Sequence, residues 1–123
     1  MATNYTRGRG LEYACRTVLE RHGFWVIRAA GSKGVADLVA SKRSPAGDAV
    51  LLLVQCKLGG GGIDRGEWNT LVETAYEAGG MPVLAWRAAP RARLTWHELT
   101  GLRALRQRRP TWPWRPLDLS LFP

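Results

Sequence analysis

The sequence has no long apolar run and contains few cysteines, histidines and acidic residues. No stretch of the 123-residue chain approaches the ~18 consecutive apolar residues of a membrane helix. Residues 1–10 lack the apolar segment of a secretory signal peptide. Two cysteines and two histidines are too few for a zinc site, so Cys15 and Cys56 are expected to be buried, reduced thiols. We therefore expect a cytoplasmic protein (in the host cytoplasm if phage-encoded), with no membrane partner and no small-molecule cofactor.

The scarcity of acidic residues leaves the chain strongly basic. Eighteen lysines and arginines oppose ten aspartates and glutamates, which gives a formal net charge of +8 at pH 7. A field of this sign attracts polyanions and speeds their encounter with the protein. Charge therefore favours a nucleic acid as the partner. An arginine-rich surface that merely reflects genome composition would give the same count.

Apolar periodicity and turn residues predict an α/β fold with the element order α-β-β-β-α-β. The expected helix, three strands, helix and strand cover residues 9–22, 24–28, 36–41, 49–57, 64–77 and 81–87. The third strand lacks polar alternation, as expected for a central strand that is covered on both faces. Asp64 and Glu67 form the capping-box pattern that begins the second helix, and 78–80 ends it.

The C-terminal third is predicted to contain one more helix and an irregular tail. A second capping pattern, "TWHE", predicts a helix from Thr95 to about Arg108. Four prolines in 110–123 argue against regular structure there, so we expect a domain over 1–109 followed by a tail over 110–123. Trp112 and Trp114 are expected to pack on the domain or on a partner subunit, with base stacking as the alternative.

Two other segments have open interpretations. The glycine-rich stretch 58–66 either allows close approach to phosphate or is a flexible connector. Arginines near the end of the predicted third helix form either a DNA-facing ridge or a solvated helix end. They are Arg103, Arg106, Arg108 and Arg109.

Three polar residues on neighbouring strands point to chemistry. Strand alternation puts Gln55 and Lys57 on one face, and a hairpin would bring Asp37 beside them. Hard oxygen ligands with an adjacent ammonium suit Mg²⁺-assisted phosphodiester hydrolysis. Glu12 lies ~20° from Leu19 in helical projection, at the margin of the apolar stripe, so it can face the sheet. Each residue alone would be read as an ordinary solvated or turn residue.

The pattern D37-x17-Q55-C56-K57, after a helix that carries Glu12, resembles the PD-(D/E)XK nuclease superfamily. More narrowly, residues 7–87 are similar to the archaeal-type Holliday junction resolvases. The loop Gly31–Lys33 is more specific to that family than the short motif of Asp37, Gln55 and Lys57. The resemblance implies a restriction-endonuclease-like α/β fold, with a mixed central sheet flanked by helices and an αβββαβ core. It makes 1–109 a nuclease domain.

The resemblance also implies an enzyme that resolves four-way DNA junctions. It would be a homodimer with one Mg²⁺-dependent site per subunit, in which Mn²⁺ can substitute. Asp37, Gln55 and the backbone carbonyl of Cys56 would be metal ligands, Glu12 would complete the metal shell, and Lys57 would be the catalytic lysine.

The resemblance extends to residues around the site. Ser32 matches the family's loop serine, which supports the active site. Basic residues that we expect at the DNA backbone are Arg7, Arg9, Arg28, Lys33 and Arg65.

Two positions depart from the family pattern. Ala36 stands where a proline is usual, which affects strand entry more than ligation. Gln55 stands where a glutamate is usual, and its amide oxygen can still bind a hard cation but brings no charge. The sequence therefore predicts that Glu12 supplies the second negative charge. A less selective nuclease of the same superfamily, or a DNA-binding module without activity, remains the alternative.

Overall fold

The computed structural model describes residues 4–29 and 34–122, with side chains described from Arg9 onward. Its helices and strands in chain order are α1 (Asn4–Arg21), β1 (Trp25–Arg28), β2 (Leu38–Arg43), β3 (Ala49–Leu58), α2 (Arg65–Glu77), β4 (Met81–Arg87), β5 (Thr95–Leu99) and β6 (Trp114–Pro116). Within these ranges no helix is both long enough and apolar enough to cross a bilayer. The first six elements confirm the predicted αβββαβ core.

The strands form one mixed sheet in the order β1-β2-β3-β4-β5-β6. Neighbours are antiparallel apart from β3 and β4, which run parallel because α2 carries the chain back between them. In the β2–β3 ladder Leu38 pairs with Val54, and in the β3–β4 ladder Lys57 pairs with Trp86. These registers place the end of β3 between the start of β2 and the end of β4.

Each helix covers one face of the sheet, as the apolar pattern of β3 predicts. Leu52 and Val54 belong to the core beneath α1, whereas Leu53 belongs to the core beneath α2. Because successive side chains alternate, Cys56 faces α1 while Gln55 and Lys57 face the α2 side. The end of β3 is thus polar on the α2 side alone.

The second helix begins and ends as its sequence predicts. The Asp64 side chain accepts a hydrogen bond from the Glu67 amide at 2.7 Å, and the chain leaves the helix at Ala78, followed by Gly79 with φ +72°. The buried stripe consists of Trp68, Leu71, Val72 and Ala75, which are the four apolar residues of the predicted stripe. The first helix begins at Asn4 rather than at Arg9.

The predicted third helix is wrong, because Thr95–Leu99 forms strand β5. The Thr95 hydroxyl donates to the Trp86 carbonyl on β4 at 3.1 Å and so does not cap a helix. His97 and Leu99 are buried at period two, and the strand pairs with the otherwise open edge of β4. A capping pattern describes one turn of chain, and tertiary pairing overrides it here.

The prediction of an irregular tail is also wrong. Trp114–Pro116 forms β6, which pairs antiparallel with β5, and two short 3₁₀ turns flank it. Proline is compatible with this position because β6 is an edge strand. Trp112 packs on Trp68 with ring centroids 5.7 Å apart, which confirms that this tryptophan packs on the domain.

Candidate functional site

The β2–β3 register brings Asp37 to the polar end of β3. One residue before the first pair of the ladder, the Asp37 amide donates to the Val54 carbonyl at 2.9 Å. The Asp37 Oδ2 accepts a hydrogen bond from the Cys56 amide at 2.7 Å. This bond fixes the carboxylate beside Gln55 and Cys56, the residues that the sequence predicts as its fellow metal ligands.

Asp37 is half-buried, and burial is the main cause that raises the pKa of its carboxyl. The hydrogen bond from Cys56 acts in the opposite direction and lowers the pKa. The charge of Glu12 raises it further, whereas Arg28 and Lys57 lower it. Four predicted site residues therefore share one electrostatic neighbourhood, and a cation beside Asp37 would offset the cost of its partial burial.

Glu12 faces the sheet, as its place on the helix predicts, but it does not stand alone. Its Oε2 lies 2.6 Å from Nε of Arg28, and both side chains are half-buried. Arg28 shares the sheet face of Val26, which packs beneath α1. The Glu12 charge is therefore compensated on the α1 side. Sequence patterns do not predict this pair, because residues on different elements leave no local signal.

Gln55 faces the first turn of α2. Its amide Nε2 lies 3.5 Å from Oε2 of Glu67, at the long limit of a hydrogen bond. The sequence predicts Glu67 only as part of the helix cap, and the Glu67 backbone amide does have that role. The side chain adds a carboxylate beside the predicted ligands. The one sequence feature that points to this carboxylate is that α2 follows β3 through a parallel crossover.

Lys57 and Cys56 occupy opposite faces at the end of β3. Lys57 is half-buried and pairs with Trp86 of β4. The Cys56 side chain lies in the core beneath α1, where a hydrogen bond with the Cys15 thiol and burial raise the pKa of its thiol. Cys56 can therefore contribute its backbone carbonyl oxygen to a metal site, but not a thiolate sulfur.

The predicted DNA-contacting residues are only partly described. Ser32 and Lys33 lie outside the described residues, and so does the side chain of Arg7. Arg9 and Arg65 are exposed near the N-terminal ends of the helices that carry Glu12 and Glu67. Both arginines are therefore solvent-accessible on the helices that carry these two glutamates.

The donor set fits a hard divalent cation. Its oxygens are a carboxylate at Asp37, an amide at Gln55 and a backbone carbonyl at Cys56. The Glu12 carboxylate lies toward the α1 side and the Glu67 carboxylate toward the α2 side. Magnesium and calcium sites use ligands of this kind. Among the described residues, no group of three or more His, Cys, Asp or Glu side chains converges on one point. Neutral oxygens or water would therefore have to complete the coordination shell.

An aromatic cavity of about 250 Å³ adjoins this site on the α2 side. Trp86, the cross-strand partner of Lys57, lines it together with His97 and the tail tryptophans Trp112 and Trp114. Arg109 also lines it and donates to the Gly60 carbonyl at 2.7 Å. The tail thus forms one wall of the surface next to the candidate site.

Two of the C-terminal arginines hold the glycine-rich segment in place. Arg109 bonds the Gly60 carbonyl, and Arg103 donates to the Ile63 carbonyl at 2.8 Å. The guanidinium of Arg103 also stacks over Trp112 at 3.6 Å from the ring centroid. The interpretation of these arginines as a solvated helix end is wrong, since no helix is formed over 100–108.

The chain resembles known proteins over most of its length. A family model described as archaeal Holliday junction resolvase (Hjc) matches residues 3–109. The crossover junction endodeoxyribonuclease Hjc of Methanocaldococcus jannaschii is 34% identical over 88 residues, which are 69% of this chain and 62% of that protein. The match thus spans less than two thirds of that relative's length.

A solved structure has the same architecture. The structure of Archaeoglobus fulgidus Hjc, a Holliday junction resolvase from an archaeal hyperthermophile, superposes with a TM-score of 0.59 at 25% sequence identity. The superposition covers 73% of this chain and 70% of that one. It supports the restriction-endonuclease-like fold that the αβββαβ core predicts. Sequence and structure together establish that the chain belongs to the archaeal Holliday junction resolvase family.

Proposed function

We propose that the protein is a structure-selective, metal-dependent endodeoxyribonuclease that resolves four-way DNA junctions by paired phosphodiester hydrolysis. The observation that carries the proposal is the hydrogen bond from the Cys56 amide to Asp37. It holds a partly buried carboxylate beside Gln55 and within the field of Lys57. Membership of the resolvase family supports the choice of substrate.

The residues at the end of β3 have complementary roles in this proposal. Asp37, Gln55 and the Cys56 carbonyl hold the divalent ion, Mg²⁺ or its substitute Mn²⁺, and Glu12 supports its shell. When bound, the ion polarises the phosphate and lowers the pKa of a water. The Lys57 ammonium stabilises negative charge that develops on the scissile phosphate. Ser32, five residues before Asp37 in the sequence, supports the site.

A homodimer would provide two such sites, one for each of the strands that must be cut. The net charge of +8 favours binding of branched DNA, with Arg9 exposed on α1 and Arg65 exposed on α2. Arg7 and Lys33 complete the proposed backbone contacts, together with Arg28, whose contact with Glu12 links DNA binding to the site. The protein would act in the cytoplasm, where its DNA substrate is found.

A cleavage assay on the purified full-length chain tests the proposal. A four-way junction with each strand labelled in turn is compared with linear duplex of the same sequence, in Mg²⁺, Mn²⁺ or EDTA. We expect paired nicks near the branch point with either metal and none in EDTA. Equal cutting of the duplex would indicate a less selective nuclease. Junction binding without cleavage in any metal would indicate a DNA-binding module.

Substitutions at the site test the residue assignments. Asp37→Asn or Lys57→Ala should reduce junction cleavage by about 10²-fold or more, because each removes a group that stabilises the reacting centre. Gel-shift affinity for the junction should remain. Asp48→Asn, in the exposed β2–β3 turn, is the matched control and should cut normally. Normal cleavage by either site variant would refute the assignment.

A further inference from the structure

The candidate metal site has a charge deficit that Glu12 does not remove. Gln55 is neutral, and the Glu12 carboxylate is 2.6 Å from the Arg28 guanidinium. The Arg28 charge therefore offsets much of the negative charge that Glu12 would bring to a nearby cation. Asp37 would then be the one uncompensated anionic ligand, and it lies in the field of Lys57. Magnesium sites use one or two carboxylates together with water and substrate phosphates, so a second uncompensated carboxylate would strengthen ion binding here.

Glu67 has the position to supply the missing charge. Its Oε2 is 3.5 Å from the Gln55 amide, on the α2 side of the sheet that Gln55 and Lys57 also face. Within the described residues its carboxylate forms no salt bridge, in contrast to Glu12. The neighbouring Asp64 carboxylate accepts the Glu67 amide as the N-cap, and its side chain also lies within hydrogen-bond reach of the Glu67 side chain. Glu67 is the carboxylate on this side that contacts Gln55.

An open cleft lies between Glu67 and the segment that precedes Asp37. A space of about 210 Å³ is lined by Gly66, Glu67 and Thr70 of α2 and by Gly34 and Val35 on the other side. Residues 34 and 35 run directly into Asp37 through the buried Ala36. Glu67 thus borders an accessible space whose other wall lies two residues before Asp37 in the chain.

We propose that Glu67 replaces the carboxylate that the family carries at the position of Gln55, as an anionic ligand of the divalent ion, directly or through water. This rests on the proposed function. A glutamate at position 55 would place two like charges about 3.5 Å apart, which is unfavourable. The amide of Gln55 instead donates to Glu67. The second negative charge would then lie in the first turn of α2 rather than on the strand, and the helix dipole favours it there.

Metal binding to the full-length chain without DNA tests this inference independently of activity. Mn²⁺ affinity, measured by isothermal titration calorimetry and by loss of the free-ion signal in electron paramagnetic resonance, should fall about tenfold in Glu67→Gln, because one ionic contact is lost. Glu73→Gln, an exposed glutamate further along the same helix, is the matched control. It should bind Mn²⁺ within twofold of the wild type.

An exchange variant separates ligation from a structural role of Glu67. Gln55→Glu combined with Glu67→Gln returns the charge to the strand and should recover most of the lost affinity. In junction cleavage, Glu67→Gln should raise the Mg²⁺ concentration for half-maximal rate by a similar factor, with a smaller effect at saturating Mg²⁺. Failure of the exchange variant to recover Mn²⁺ affinity would overturn the proposal, since a lost charge would then not be the cause.

Asp37→Asn distinguishes failure of this inference from failure of the proposed function. If Asp37→Asn abolishes Mn²⁺ binding while Glu67→Gln binds like the wild type, Glu67 is no ligand and the nuclease site stands. If both variants bind Mn²⁺ like the wild type and the wild type cuts no junction, the metal site and the proposed function fall together.

Discussion

Burial acts in opposite directions on two titratable side chains of the sheet, Asp37 and His97. It raises the pKa of Asp37 and lowers the pKa of His97, because a low-polarity environment disfavours the charged form of each. The His97 ring is 8% exposed and packs edge-on against Trp114 with centroids 4.4 Å apart. Its Nε2 is 2.8 Å from the Thr95 hydroxyl. The fold therefore favours neutral His97.

This preference makes stability depend on pH in a known direction. The pKa of His97 is lower in the folded chain than in the unfolded chain. The contribution of neutral His97 to the free energy of unfolding is therefore fully present above the unfolded pKa of about 6.5, and it is lost as pH falls through the folded pKa. We expect the free energy of unfolding, measured by urea denaturation, to fall less between pH 7.5 and pH 5 in His97→Gln than in the wild type. His22→Gln serves as the control. An unchanged pH dependence in His97→Gln would contradict the assignment.

At the scale of elements, two similar capping patterns gave different outcomes. The pattern that begins at Asp64 forms a helix because a buried stripe of Trp68, Leu71, Val72 and Ala75 repeats at helical spacing behind it. The pattern at Thr95 lacks such a stripe and forms β5 instead. Apolar periodicity was therefore a better predictor of a helix here than the capping pattern, because an apolar stripe is stabilised by tertiary packing.

The cap of α2 makes a measurable contribution of its own. The Asp64 Oδ1 accepts the Glu67 amide at 2.7 Å, so Asp64→Ala should lower the free energy of unfolding by about 1 kcal/mol. Asp64→Asn keeps an acceptor oxygen and should lose much less. Chemical denaturation of both variants measures the difference. Equal losses in the two variants would mean that the carboxylate charge, and not the capping hydrogen bond, stabilises this turn.

At the scale of the whole molecule, the C-terminal tail completes the sheet and the core beneath α2. Strand β6 covers the edge of β5, and Trp112 packs against both Trp68 and the Arg103 guanidinium. Arg103 and Arg109 also hold the carbonyls of Ile63 and Gly60 in the segment between β3 and α2. The tail is thus connected to the segment that leads from the candidate site into α2.

Removal of one tail ring should therefore destabilise the whole fold. Trp112→Ala should lower the free energy of unfolding by about 3 kcal/mol, because it leaves a cavity against Trp68 and removes the stack with Arg103. Trp25→Ala, at a site with a 66% exposed ring, is the matched control and should cost far less. Comparable losses for the two variants in guanidinium denaturation would show that the tail does not contribute to the core.

The sequence by itself determined the faces of β3 and α2, since alternation and helical periodicity are local properties of consecutive residues. It thereby placed Gln55 and Lys57 on one side and brought Asp37 to them through a hairpin. Only the tertiary structure decided the charges around the site. Glu12 meets Arg28 and Gln55 meets Glu67 across sequence separations of 16 and 12 residues. Both contacts depend on how α1 and α2 dock on the sheet, which no local pattern encodes.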